Sequence, residues 1–159
     1  MAMQRQLRVM ALDKPKANGT LLKVAFATSD LKRVDQHFGS AERFAIYQVE
    51  PRHATLLSVA EFGSLTQDGN EGKLLEKFVV LDGCQAVYCL AIGPSAVRQL
   101  LALGVQPVRV QSGTTVAHTL DDLQTQLRDG PTGWVARALQ QKAKRPDRFD
   151  ALADGGWDD

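Results

Sequence analysis

Two cysteines, Cys84 and Cys89, are all the thiols this chain has, and that scarcity excludes several chemistries. A structural zinc site needs four ligands in close pairs, and the Cys-x4-Cys of "DGCQAVYCLAIG" is neither that nor the Cys-x-x-Cys of a redox enzyme. The two read instead as small buried apolar residues. An excess of one charge is also missing. Nineteen Lys and Arg against eighteen Asp and Glu leave a formal net charge of +1, where a nucleic-acid-binding domain carries a basic excess or stripe. No apolar run approaches the roughly 20 residues that span a bilayer. The opening "MAMQRQLRVMALDKPKANG" lacks the apolar core and small-residue cleavage site of a secretory signal, so a cytoplasmic protein is expected, with no membrane or nucleic-acid partner. Catalytic signatures are absent as well: no GxSxG elbow, Walker loop, GxGxxG or HExxH. A metal-dependent nuclease on an α/β sheet needs carboxylates in its central strands, and neither "LLKVAFATS" nor "QAVYCLAI" contains one. Nothing points to an enzyme.

What is present is an ordinary globular composition, 44% hydrophobic and 23% charged over 159 residues, enough to bury a core. Residues 1–20 read as an extension broken by Pro15 and Gly19. The stretch "LLKVAFATS" is apolar on both faces, which predicts a strand central in its sheet. "ERFAIYQV" follows, with Phe44 and Ile46 on one face and Ala45, Tyr47 and Val49 on the other. "ATLLSVAEF" is joined to it by so few residues that an antiparallel hairpin is expected. Beyond Gly63 the period changes. Leu74, Phe78 and Leu81, with Leu75 and Val79 beside them, predict a helix capped near Asn70 and stopped at Gly83. A strand in "QAVYCLAI", a helix from Ser95 to Gly104, a strand in "QPVRVQ" and a helix with Val116, Leu120, Leu123 and Leu127 complete the pattern. The order predicts a three-layer α/β domain over residues 21–130. Its five-stranded mixed sheet is a three-strand meander followed by β/α units, with helices on both faces. Residues 131–159 predict one more amphipathic helix, around Trp134, Val135, Ala138 and Leu139, and an acidic, flexible tail.

Ligands of open α/β sheets gather at the carboxyl ends of the parallel strands, and three segments end there. The turn "AIGPSAVR" with Gly93 and Ser95, and the turn "VQSGTTVAH" with Gly113 and Thr114, each open a helix. Their backbone N–H groups suit an anion, but Ser95 and Thr114 suit ordinary capping equally well. The first loop, "ATSDLKRVDQHFG", carries His37 with Lys32 and Arg33 just upstream. An imidazole held at a rim by the aromatic anchor Phe38 is a competent metal donor; it is also what a solvated loop histidine, or one bonded to a backbone carbonyl, looks like. Asp30 and Asp35 read as loop acids. His53, in a hairpin turn, and His118, off the apolar stripe of its helix, read as surface residues. Cys84 starts its strand and Cys89 lies within it. The eight residues from Cys84 to Ile92, at about 3.3 Å each, put some 26 Å between the ends of the sheet. That argues against a site shared by Cys84 and His37.

The runs "LLKVAFATSDLKRVDQHFGSAERFAIYQV" and "DGCQAVYCLAIGPSAVRQLLALGVQPV" and the turn "SGTT" together resemble the dinitrogenase iron–molybdenum-cofactor-binding family over roughly residues 20–130. The resemblance implies a ribonuclease-H-like domain without nuclease activity, which binds the iron–molybdenum cofactor or its iron–sulfur precursor, the product of NifB. It implies a carrier that passes the cluster from NifB to the NifEN scaffold during nitrogenase cofactor biosynthesis. It also implies that the histidine of the "HFG" motif, His37, is the cluster ligand. Lys32 and Arg33 would offset the cluster's charge. The alternative is a regulatory or protein-interaction module of the nitrogen-fixation system that does not bind the cluster tightly.

Overall fold

The computed structural model describes residues 8–11, 21–62 and 70–144. The elements in chain order are β1 (Arg8–Ala11), β2 (Leu22–Ala27), β3 (Arg43–Val49), β4 (Ala54–Glu61), α1 (Asn70–Leu81), β5 (Ala86–Cys89), α2 (Pro94–Ala102), β6 (Gln106–Arg109), α3 (Val116–Asp129) and α4 (Gly133–Lys144). They build one mixed sheet in the order β1-β4-β3-β2-β5-β6. β2, β3 and β4 form the expected antiparallel meander, β5 lies parallel to β2, and β6 lies parallel to β5. The sheet has six strands rather than five. The additional one, β1, falls in the stretch read as an extension and pairs antiparallel with β4 at the edge. Its four residues, "RVMA", are too short to carry a readable alternation.

Two apolar layers flank the sheet, as the alternation of the strands requires. On one face Ala25, Ala27, Phe44, Ile46, Val87 and Cys89 meet Phe78 and Leu81 of α1 and Ala96 and Leu100 of α2. On the other face Leu22, Val24, Phe26, Val49 and Tyr88 meet Val116, Leu120 and Leu123 of α3 and Val135 of α4, with Trp134, Ala138 and Leu139 packed against them. The central position of β2 follows directly: Leu22, Val24, Ala25, Phe26 and Ala27 are all without exposed surface. Although aromatics are only 6% of the chain, they concentrate here. Phe38, Phe44, Phe62 and Phe78 form one contact chain, and Tyr47, Phe26, Tyr88 and Trp134 another. Such pairs add about 0.5–1.5 kcal/mol each to the gain from burial.

The helices stop where the backbone turns left-handed, at Gly83 (φ +94°) after α1 and at Gly104 (φ +83°) after α2. The apolar residues of α1 divide between core and surface. Leu74, Phe78 and Leu81 do face the core, but Leu75 and Val79 are 64% and 62% exposed. A stripe spaced by three and four residues has room for one flank only.

Candidate functional site

The loop between β2 and β3 is built by its own polar side chains. Asp30 accepts hydrogen bonds from the backbone N–H groups of Lys32 and Arg33, both at 2.9 Å, and from the Thr28 hydroxyl. It also takes the Arg33 guanidinium at 3.1 Å. The N–H of Arg33, then that of Lys32, holds the Asp30 carboxyl well below the usual carboxylate range. Asp35 accepts from the N–H and hydroxyl of Ser29, at 2.8 and 2.6 Å, and Arg43 donates to the Ser29 carbonyl. Within this brace Leu31 takes φ +66°, the one non-glycine residue with positive φ among those described. A branched side chain sits there only when its surroundings over-determine it.

The braced loop is then stitched to both neighbouring turns. Its first half pairs with the turn that opens α3: Val34 N–H donates to the Thr114 carbonyl at 3.0 Å, and Val116 N–H to the Lys32 carbonyl at 2.9 Å. Its second half pairs with the end of β5, where Phe38 N–H donates to Ala91 at 2.8 Å and Leu90 N–H to Gln36 at 3.0 Å. Phe38 is 1% exposed and contacts the rings of Phe44 and Phe78 at centroid distances of 5.7 and 5.9 Å. His37, the residue before this anchor, is exposed, and its backbone forms a parallel bridge with Ala91. The imidazole therefore stands on an immobilised stretch of chain.

Beside it lies a shallow depression of about 360 Å³, lined by His37, Gly39, Ser40, Ala91, Ile92 and Gly93. Gly93 is the N-cap of α2 and offers no side-chain cap. The first intrahelical bond runs from Val97 N–H to the Gly93 carbonyl at 3.0 Å. The N–H groups of Ser95 and Ala96 precede it, at the positive end of the helix dipole.

Of the residues singled out from the sequence, the structure gathers His37 and Gly93 in one depression. Ser95 stands in the adjoining first turn but does not cap: its hydroxyl accepts from Gln99 at 3.3 Å. Gly113 and Thr114 lie in the neighbouring turn and do not line the depression. The Thr114 hydroxyl donates to the Gln111 carbonyl at 2.7 Å, and the cap of α3 is Thr115, whose hydroxyl accepts from His118 N–H at 3.0 Å. Lys32 and Arg33 sit on the same side of the loop as that turn. Arg33's charge is shared with Asp30, whereas Lys32 is exposed and forms no ion pair among the described residues. His53 and His118 are exposed surface residues.

The cysteines are core residues. Cys84 is 3% exposed, and burial pushes its thiol up to about 12. Cys89 has no exposed surface, and burial pushes its thiol up to about 11. Cys89 is the last residue of β5 rather than a mid-strand one, because the strand ends at residue 89. Its side chain belongs to the core cluster that also holds Phe38 and Ala96, and it does not line the depression. Among the described residues no three His, Cys, Asp or Glu side chains gather to hold a metal ion, and no helix is long and apolar enough to cross a membrane.

The sequence reading missed Asp30, Asp35 and Gln36 as the builders of the loop. Gln36 accepts from Glu42 N–H at 2.9 Å and closes the turn behind His37. "Ser-Asp" ahead of "Leu-Lys-Arg" is a signal that was available, since Asp bonds the backbone two and three residues on. Ser40, Ala91 and Ile92, which complete the depression, carry no such signal.

The chain matches the family model described as dinitrogenase iron-molybdenum cofactor over residues 20–126. It is 56% identical over 157 residues to protein NifX of Azotobacter vinelandii, covering 98% of this chain and 97% of that one. It is 35% identical over 130 residues to protein NifX of Herbaspirillum seropedicae, covering 81% and 89%. With protein NifX of Klebsiella pneumoniae it shares 35% identity over 131 residues, covering 82% and 80%. A match across most of the domain, joined to near full-length likeness, shows that the chain belongs to the dinitrogenase iron–molybdenum cofactor family.

Proposed function

We propose that this chain binds and carries the iron–molybdenum cofactor, or the iron–sulfur precursor of the kind NifB makes, during nitrogenase cofactor biosynthesis, and catalyses no reaction on it. One observation carries the reading: an exposed imidazole, His37, is held rigidly beside an uncapped helix start inside the segment that the family model matches. A neutral imidazole donates its lone pair to a metal. The N–H groups at the start of α2 favour the anionic remainder of a cluster, and the exposed charge of Lys32, on the α3 side of the same loop, would add to the attraction. One side-chain ligand on an open surface holds cargo that must be handed on; a closed set of four thiolates would retain it. Arg33 acts through Asp30, as part of the brace.

The unit that does this is the α/β domain of residues 21–130, acting in the cytoplasm between NifB and the NifEN scaffold. The order of the five strands from β4 to β6, with β3 antiparallel to both neighbours, supports a ribonuclease-H-like reading of the fold. The lack of carboxylates on β2 and β5 supports binding rather than hydrolysis. Leu75 and Val79, exposed together on α1, favour a competing reading, a protein-interaction module that holds no cluster tightly.

Anaerobic mixing of the purified protein with isolated precursor cluster, followed by gel filtration and visible absorption, separates the two. The carrier reading expects iron to co-elute with the protein and His37→Ala to weaken retention by roughly tenfold or more. Equal retention by His37→Ala removes His37 as the ligand. If iron never co-elutes with the unchanged chain, the interaction reading takes its place.

A further inference from the structure

Seven glycines have described surroundings, and they fall into two groups. Gly83, Gly104, Gly113, Gly130 and Gly133 have φ between +57° and +136°, a region L side chains rarely enter. Chain geometry accounts for these five. Gly39 and Gly93 are different. Neither has a positive φ, and Gly93 is extended at φ −80°, ψ 161°. A Cβ built on either meets nothing within 4 Å. Neither conformation nor packing calls for glycine at these two positions. At both, a side chain would leave the unfolded chain less entropy to lose. At position 93, a helix N-cap, Ser, Asn or Asp would also bond the orphan N–H groups.

These two glycines line the same depression, together with His37. Resting on the carrier reading above, we infer that Gly39 and Gly93 are clearance positions. A bulky, rigid, anionic ligand packs against their two backbones, closer than a Cβ permits, while His37 supplies its side-chain donor. The chemistry that fits is a polynuclear metal–sulfur cluster and not a single metal ion. An ion held by one imidazole sits about 2 Å from the ring nitrogen and need not touch either glycine. A cluster several ångströms across must rest on something, and at Gly39 and Gly93 the lining offers backbone alone. Gly39 and Ser40 donate no backbone hydrogen bond among the described residues. With Ser95 and Ala96 in the first turn of α2, they leave N–H groups for the ligand's sulfur or oxygen atoms.

The test pairs stability with capture. Gly39→Ala, Gly93→Ser and His37→Ala are compared with the unchanged chain by thermal melting of the ligand-free protein and by anaerobic titration with a synthetic, thiolate-ligated four-iron–four-sulfur cluster. Both glycine variants are expected to melt at or above the temperature of the unchanged chain, yet to capture the cluster about tenfold more weakly or worse, since the added side chain overpacks the contact. Lower melting temperatures in the glycine variants would assign these residues to the fold and overturn the inference. Full capture by both, beside a loss in His37→Ala, overturns the inference and leaves the carrier reading standing. No capture by the unchanged chain overturns both.

Discussion

Two helices begin at the carboxyl ends of neighbouring parallel strands, and they begin differently. α3 starts behind Thr115, whose hydroxyl takes the His118 N–H, while Thr114 and Val116 on either side of it exchange hydrogen bonds with the β2–β3 loop. α2 starts behind Gly93, with proline at its first position and no side chain over its N–H groups. Both turns looked equally suitable for an anion in the sequence. In the folded chain one has been spent on structure and the other left open. A helix start suits a ligand best where the protein completes fewest of its hydrogen bonds itself, and of these two α2 is the more open.

Four experiments bear on that contrast. The largest effect is expected from Phe38→Ala, because the ring that anchors the open side is fully packed. A loss of about 3–5 kcal/mol in chemical denaturation is expected. A loss under about 1 kcal/mol would mean that the histidine loop is held without its anchor. Next comes Thr115→Ala on the closed side, expected to cost about 1 kcal/mol, in line with an N-cap in use. Asp30→Asn probes the brace that joins the loop to the closed turn. The Asp30 pKa is lowered in the folded chain from an ordinary value of 3.8, so its contribution is fully present above that value and fades as pH falls below it toward the folded pKa. Stability curves of the unchanged chain and Asp30→Asn should run apart at neutral pH and converge below about pH 4; a constant gap through that range would refute the assignment. The smallest effect is the mirror of Thr115→Ala. Gly93→Ser should change stability by only a few tenths of a kcal/mol, toward greater stability. A clear destabilisation would show that the open helix start is already satisfied.

The fold was legible where periodicity was strong. Leu22 to Ala27 read as central and are buried on both faces, and Val116, Leu120 and Leu123 face the core as their spacing predicts. Short and one-sided signals were less legible. β1 has four residues, and the spacing of α1 did not say on which side of its stripe Leu75 and Val79 would be left exposed. The site was half legible. His37 and Gly93 could be placed on the same sheet edge by topology alone. Which turn stays open depends on hydrogen bonds between segments about eighty residues apart, such as Val34 to Thr114, and no local pattern encodes those. Arg33 could not be seen as engaged with Asp30, because the same pair three residues apart is common in loops without bonding.

Both thiols of the chain are shut inside the core, and burial has pushed them up to about 12 and about 11. The native protein should therefore resist alkylation at mildly alkaline pH, react at both cysteines only when unfolded, and form no disulfide-linked species in air. A cysteine introduced on the surface, for example at Ser40 or Gln99, would then be the only readily labelled thiol. Fluorophores and spin labels could be set around the depression one position at a time, with the native cysteines left in place.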